Sequence, residues 1–333
     1  MDKVAKFSQK DRSDLFAETA STMRTTPAIV EKDFWVVWVL SRVFANTDLA
    51  RILKFKGGTS LSKVFGLIGR FSEDIDLILD WREVVHDDPE AARSKSQQMK
   101  FNEATNAEAI SYIDTALLPQ VQQCVGDLCS CSIDVANPHA INIRYPAAFG
   151  DAYLRPEILL EIGPLASWLP SDVFAIQPYA AQHFPRLFEK PSCVVPTILA
   201  ERTFWEKATI LHQEAHRGDK PMPPRYSRHY YDLARLALSD VKNIALADLE
   251  MLAAAVAFKQ RFYPSAWAQY ELAKPPNLKL IPPEARASEL AKDYQAMQNM
   301  IFDKPLSFDE VMQTLTSLEK EINALGSAQW RQG

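Results

Sequence analysis

The sequence predicts an α/β (α+β) domain with a mixed sheet behind a helical lead-in, followed by a mainly helical C-terminal domain. Three observations carry that prediction. Two short apolar runs, 52–56 and 75–79, bracket a Gly57-Gly58 turn and a helical stretch, which is a strand–helix–strand pattern. Three further strand-like runs lie near 129–135, 140–145 and 158–162. Beyond Pro196 the apolar periodicity is helical, at 197–217, 227–239, 247–262, 285–302 and 307–325.

Taken in order, 13–46 reads as helix with a break at Thr26-Pro27, and its apolar stretch of Phe34, Trp35, Val37, Trp38 and Leu40 reads as helix core rather than a base-stacking platform. The strand at 52–56 ends at Gly57-Gly58, after which Thr59 is expected to cap a helix carrying Leu61, Val64, Phe65 and Ile68. The second strand follows at 75–79. Residues 87–120 are polar and Ala-rich, as surface helices are. Prolines 164, 170, 178, 185 and 191 argue against long elements there, so the expected domains are 1–190 and 191–333.

A chain of 333 residues with 47% hydrophobic content supplies a core for each of two domains. No run approaches the roughly 20 apolar residues of a membrane span. The N-terminus is charged from its second residue and lacks a secretory pattern, so a cytoplasmic protein is expected. Its four cysteines are then expected as thiols. Net charge is −5, but unevenly spread. Residues 71–91 hold eight acids against Arg82, whereas 202–235 hold seven Lys and Arg against four acids. Any nucleic-acid binding would rest on that local cationic stretch.

Phosphoryl chemistry needs donors for polyphosphate and carboxylates for a divalent metal. Both occur between Lys56 and Asp76. Gly57 and Gly58 let a phosphate approach the backbone, a helix opening at Thr59 offers free N–H groups, and Thr59 and Ser60 add hydroxyls. In Asp74-Ile75-Asp76-Leu77 a strand's period of two places both aspartates on one face, able to share magnesium, with Ile75 and Leu77 facing the core. A bare D-x-D is more often a solvated strand; the upstream Gly-Gly-Thr-Ser is what shifts the reading. A P-loop is excluded, because Gly-x-x-x-x-Gly-Lys-Ser/Thr does not occur. A third carboxylate is expected on a neighbouring strand: Glu161, in an apolar run where an acid is costly unless a metal or charge meets it, with Asp134 as the competing candidate.

Gly-Gly opening a helix, with D-x-D on the next strand, resembles the polymerase β nucleotidyltransferase superfamily. The run from Lys56 to Lys63 followed by Arg70-Phe71-Ser72-Glu73-Asp74-Ile75-Asp76-Leu77 narrows this to the AbiEii-type nucleotidyltransferase toxins. Glu31-Lys32-Asp33-Phe34-Trp35 is similar to the family's lead-in helix, 159–163 to its later acidic strand, and the Arg202 to Lys207 and Ser227 to Asp232 segments to its C-terminal motifs. The resemblance implies a magnesium-dependent transfer of nucleoside monophosphate from a nucleoside triphosphate to an acceptor hydroxyl. It implies metal ligands Asp74, Asp76 and Glu161, catalytic roles for Lys207 and Asp232, and nucleotide binding by Lys56, Gly57, Gly58, Thr59, Ser60, Lys63, Ser72, Lys207 and Arg228. It departs from the family at His229, where the motif commonly has an acid.

The same resemblance implies a toxin of a toxin–antitoxin or phage-defence system, with RNA, notably a tRNA 3′ end, as acceptor and a winged-helix antitoxin encoded nearby. The rival readings are a transferase acting on a small-molecule or protein hydroxyl, and a catalytically silent binding module. Two patterns are read as structural. His212 and His216 at i and i+4 lack a third zinc ligand, and Cys124, Cys129 and Cys131 lack a fourth. Singly, Arg202, Arg217 and Arg225 read as a solvated helix face.

Overall fold

The computed structural model describes residues 1–150, 157–302 and 305–329. It divides into two compact units, one made of Met1–Phe65 with Phe71–Ile198, the other of Gly66–Arg70 with the chain from Leu199 onward.

The first unit begins with helices α1 (Asp2–Ala5), α2 (Gln9–Met23), α3 (Pro27–Ala45) and α4 (Thr47–Ile52). Arg24 takes up a left-handed conformation that ends α2, and the Thr26 hydroxyl accepts the Ile29 N–H to open α3 with Pro27 in its first turn. The expected break is therefore a C-cap followed by an N-cap. Strand β1 (Leu53–Lys56) leads into α5 (Gly57–Lys63) and back through β2 (Ile75–Leu79). Next come α6 (Lys95–Tyr112), a π-helical stretch Ile113–Leu117 and α7 (Leu118–Val125), then β3 (Ser130–Ile133), β4 (Ala140–Arg144), β5 (Glu157–Gly163), β6 (Ser171–Ile176), α8 (Tyr179–His183) and β7 (Cys193–Ile198).

The seven strands form one mixed sheet in the order β3-β4-β5-β2-β1-β7-β6. Strands β1 and β2 are antiparallel, while β2–β5 and β1–β7 are parallel. One face is core: Ile75, Leu77, Ile158, Leu160 and Ile162 are buried there with Val30, Phe34 and Trp35 of α3. Two strands, β6 and β7, escaped the sequence reading because prolines discouraged it. Pro196 lies within β7, opposite Val173 of β6, and the β7 ladder to β1 is registered at Phe55↔Thr197.

The helix expected to start at Thr59 and run to Ile68 instead opens at Gly57 and stops at Lys63, with Gly66 at φ +62 just beyond. Thr59 lies inside its first turn and does not cap it.

The second unit contains α9 (Ala200–Ala215), α10 (Ser227–Ala237), α11 (Val241–Ala247), α12 (Leu249–Phe262), α13 (Glu284–Met297) and α14 (Phe308–Gln329). Helix α10 packs against α9, α13 and α14. The 66–70 segment joins this unit through an antiparallel bridge between Arg70 and Ile301 and a 2.8 Å hydrogen bond from the Phe302 N–H to the Gly69 carbonyl. His212 is fully buried; its Nδ1 accepts the Lys279 N–H at 3.0 Å, so its Nε2 carries the proton and donates to the Gln269 carbonyl at 3.0 Å. His216 Nδ1 meets the His212 carbonyl at 2.8 Å. This pair ties a long connection to α9. No helix among the described residues is long and apolar enough to cross a membrane.

Candidate active site

In the first unit the sheet's register assembles the sequence-predicted acids. Lys56 pairs with Asp76 across β1 and β2, and Asp76 pairs with Glu161 across β2 and β5. Paired residues on adjacent strands, about 4.8 Å apart, project to the same face. Lys56, Asp76 and Glu161 therefore form one lateral row, while the alternating residues Ile75, Leu77, Leu160 and Ile162 point into the core, each no more than 2% exposed. Asp74 lies just ahead of β2, and its carbonyl accepts the Thr59 hydroxyl.

Gly57 has φ +84, a conformation that residues with a Cβ rarely adopt, and a Cβ there would overlap Asp76 Oδ2. The Asp76 carboxylate thus lies against the bare backbone where β1 turns into α5. Thr59 and Ser60, expected as free hydroxyl donors, are instead buried and engaged: Thr59 with Asp74, and Ser60 Oγ donating to the Gly57 carbonyl at 2.8 Å. They brace the glycine turn from inside. Gly58 is the second residue of α5, and Ser72 is half-buried in the approach to β2.

Lys63 was expected among the nucleotide binders, yet its ammonium is 2.5 Å from Asp33 Oδ1 and 3.7 Å from the Tyr179 ring centroid. Burial pushes the Asp33 carboxyl up, against the pull of Lys63 and a 2.7 Å hydrogen bond from the Tyr179 N–H. Asp134 accepts the N–H groups of Ala136 and Asn137 and the Asn142 amide at 2.7 Å, which commits it to the β3–β4 turn. Glu161 alone of the two candidates shares the Asp76 row.

The second unit holds the other set. Asp232, 0% exposed, receives Arg70 through Nε at 2.7 Å and Nη2 at 2.8 Å, and Lys207 Nζ at 2.7 Å. Burial opposes its charge, but the two cations hold its carboxyl well below the usual range. Burial pulls the Lys207 ammonium down; Asp232 opposes this, and Arg70 and Arg228 reinforce it. Arg228 is exposed. His229, its Nδ1 buried with no hydrogen-bond partner among the described residues, is held neutral by burial and by Lys207 and Arg228. Of the three arginines expected singly as a solvated helix face, Arg225 is exposed, whereas Arg202 and Arg217 are engaged by acids of α9. Arg202, 3% exposed, pairs with Glu206 at 3.3 Å, and Arg217 with Glu214 at 2.5 Å.

Among the described residues, no group of three or more His, Cys, Asp and Glu stands ready-made to hold a metal ion. Magnesium ordinarily takes one or two carboxylates and completes its shell with water and substrate phosphate oxygens, so a full protein cage is not what it requires. Asp74, Asp76 and Glu161 are hard oxygen donors of that kind, and the Gly57 cradle leaves the Asp76 carboxylate room against backbone. Their donor chemistry is the kind that magnesium takes.

Sequence reasoning missed Arg70 as a partner of Asp232, and Lys32 and Asp33 as buried charges. A signal existed for the latter two: charged residues inside an apolar helical stretch are costly unless paired.

A family model described as "Nucleotidyl transferase AbiEii toxin, Type IV TA system" matches residues 38–314. The chain belongs to the AbiEii nucleotidyltransferase toxin family. It is a nucleotidyltransferase of a type IV toxin–antitoxin system. Among solved structures it is similar to MenT4, a nucleotidyltransferase toxin from Mycobacterium tuberculosis H37Rv, at 18% identity and TM-score 0.44, covering 96% of this chain and 99% of that one. No curated protein matches it.

Proposed function

We propose that this toxin transfers a nucleoside monophosphate from a nucleoside triphosphate to a hydroxyl of RNA, with a tRNA 3′ end as the favoured acceptor. The observation that carries the transfer chemistry is the row of Lys56, Asp76 and Glu161 beside the Gly57 cradle, while the RNA acceptor rests on the family resemblance. The acceptor oxygen attacks the α-phosphorus in line, its new bond forming as the bond to pyrophosphate breaks. Asp74 and Asp76, with Glu161, would hold magnesium, which when bound neutralises charge developing on the phosphates. Glu161 alternatively takes the proton from the attacking hydroxyl.

The Gly57-Gly58 backbone, Lys56 and Ser72 lie along the triphosphate, and Thr59 and Ser60 act indirectly by bracing that turn. Lys207 and Arg228 are assigned to the nucleotide by the family resemblance, as positive charge able to meet a polyphosphate. Asp232 acts by holding Lys207. The protein works in the cytoplasm and is countered by a winged-helix antitoxin from a neighbouring gene, in phage defence.

Radiolabelled triphosphates incubated with the protein, magnesium and separate RNA, protein and metabolite fractions test the reading. Label entering RNA, above all tRNA, is the expected result. Label confined to protein or metabolites would replace the acceptor, and no label in any fraction would leave a silent binding module.

A further inference from the structure

Three successive charged residues in α3 are almost inaccessible: Glu31 is 1% exposed, Lys32 2% and Asp33 2%. Consecutive helical residues project about 100° apart, so each reaches a different part of the first unit. A buried charge is costly unless a partner meets it, and each of these has one. Glu31 accepts the N–H groups of Ala148 at 2.7 Å and Phe149 at 3.0 Å. Lys32 Nζ stands 2.5 Å from Glu73 Oε2. Asp33 binds Lys63 through one oxygen and the Tyr179 N–H through the other.

Two of these contacts land on the segments that carry the chemistry. Glu73 immediately precedes Asp74, and Lys63 closes the helix that Gly57 and Gly58 open. The helix behind them is rigidly set in the core. Phe34 packs edge-on to Trp35 at 5.2 Å and Trp35 edge-on to Trp38 at 5.3 Å, all three no more than 1% exposed.

We propose that Lys32 and Asp33 are positioning residues for nucleotidyl transfer, Lys32 holding the approach to Asp74 and Asp76 through Glu73, and Asp33 holding the Gly57-Gly58 turn through Lys63. Lys32 has a second effect. It gives Glu73 a fixed cation, so that a carboxylate adjoining Asp74 does not compete for the metal. This inference rests on Asp74 and Asp76 being the metal ligands.

The test uses the full-length chain and compares Lys32→Met, Lys32→Arg, Asp33→Asn and the double variant Lys32→Met with Glu73→Gln. The readouts are kcat and KM separately, melting temperature, and magnesium affinity by calorimetry with a non-hydrolysable triphosphate. Lys32→Met is expected to lower kcat by on the order of 10²-fold with KM little changed, the signature of misplaced reacting groups, and to weaken magnesium binding. Asp33→Asn should lower kcat in the same way.

The double variant removes both charges and with them the competing carboxylate. It should recover melting temperature and magnesium affinity while kcat stays at least about 10-fold below wild type, because the tether to the Asp74 approach is still missing. Lys32→Arg should restore melting temperature and kcat. Wild-type kcat in the double variant or in Lys32→Met would overturn the proposal. Should Asp76→Ala be inactive while Lys32→Met turns over normally, positioning alone fails; should Asp76→Ala turn over normally, the ligand assignment beneath it fails.

Discussion

Asp76 and Asp232 are two aspartates in opposite surroundings. Asp76 is half-buried on β2, flanked laterally by Lys56 and Glu161 and pressed against a glycine backbone. Asp232 is wholly buried on α10, with both oxygens engaged by Arg70 and one also by Lys207. The difference separates two uses of a carboxylate. The carboxylate proposed to receive a metal is half-buried and shares a sheet row with a second acid. One that fixes cations is enclosed by them, and its own charge is stabilised by the groups that it positions.

That contrast predicts its largest effect at Asp232. Asp232→Ala leaves Arg70 and Lys207 buried without their counter-charge, and should cost about 3–5 kcal/mol in urea denaturation. A loss below about 1 kcal/mol would mean that solvent already compensates the two cations. Asp232→Asn should be intermediate, since it keeps the volume and one acceptor.

The second unit also carries a proton-linked signature. Burial lowers the His212 pKa from its ordinary 6.5 to about 4. The folded protein then binds fewer protons than the unfolded chain between those values. Stability is therefore fully present above about pH 6.5 and falls as pH drops toward about 4, by about 3 kcal/mol. Melting curves of wild type and His212→Gln over that window should converge as pH falls; parallel curves would show that His212 titrates normally.

A smaller effect is expected at the cradle. Gly57→Ala combines a positive φ with overlap on Asp76, and should cost about 1–3 kcal/mol while displacing the carboxylate proposed to serve transfer. Wild-type turnover in a destabilised Gly57→Ala would detach the cradle from the chemistry. Smallest of all, Arg228→Ala should flatten the log–log salt dependence of RNA binding by about 0.7, and an unchanged slope would remove Arg228 from the backbone contacts.

How far these features were legible depends on the range of the interactions that make them. The Gly57-Gly58 turn, the aspartates of β2 and the acid of β5 are local patterns of period two, and the sequence displays them. The register that aligns Asp76 with Glu161 is a property of strands far apart in the chain. The hydroxyls of Thr59 and Ser60 were misjudged because the helix begins earlier than its first capping residue suggested, which turns them inward. Lys63 was assigned to the nucleotide because its motif neighbours were; its partner Asp33 lies 30 residues away, where no local rule points to it. Strands β6 and β7 were hidden by the prolines around and within them, although they pair with each other over six registered positions.

The most direct test of the account sets Asp76→Asn beside the wild type, following nucleotide transfer at saturating magnesium and urea denaturation on the same preparation. Removing the Asp76 charge relieves repulsion with Glu161 and gives up attraction to Lys56, so stability should change little, while transfer is abolished. An Asp76→Asn protein that turns over at the wild-type rate would contradict the assignment of the sheet row as the reaction centre.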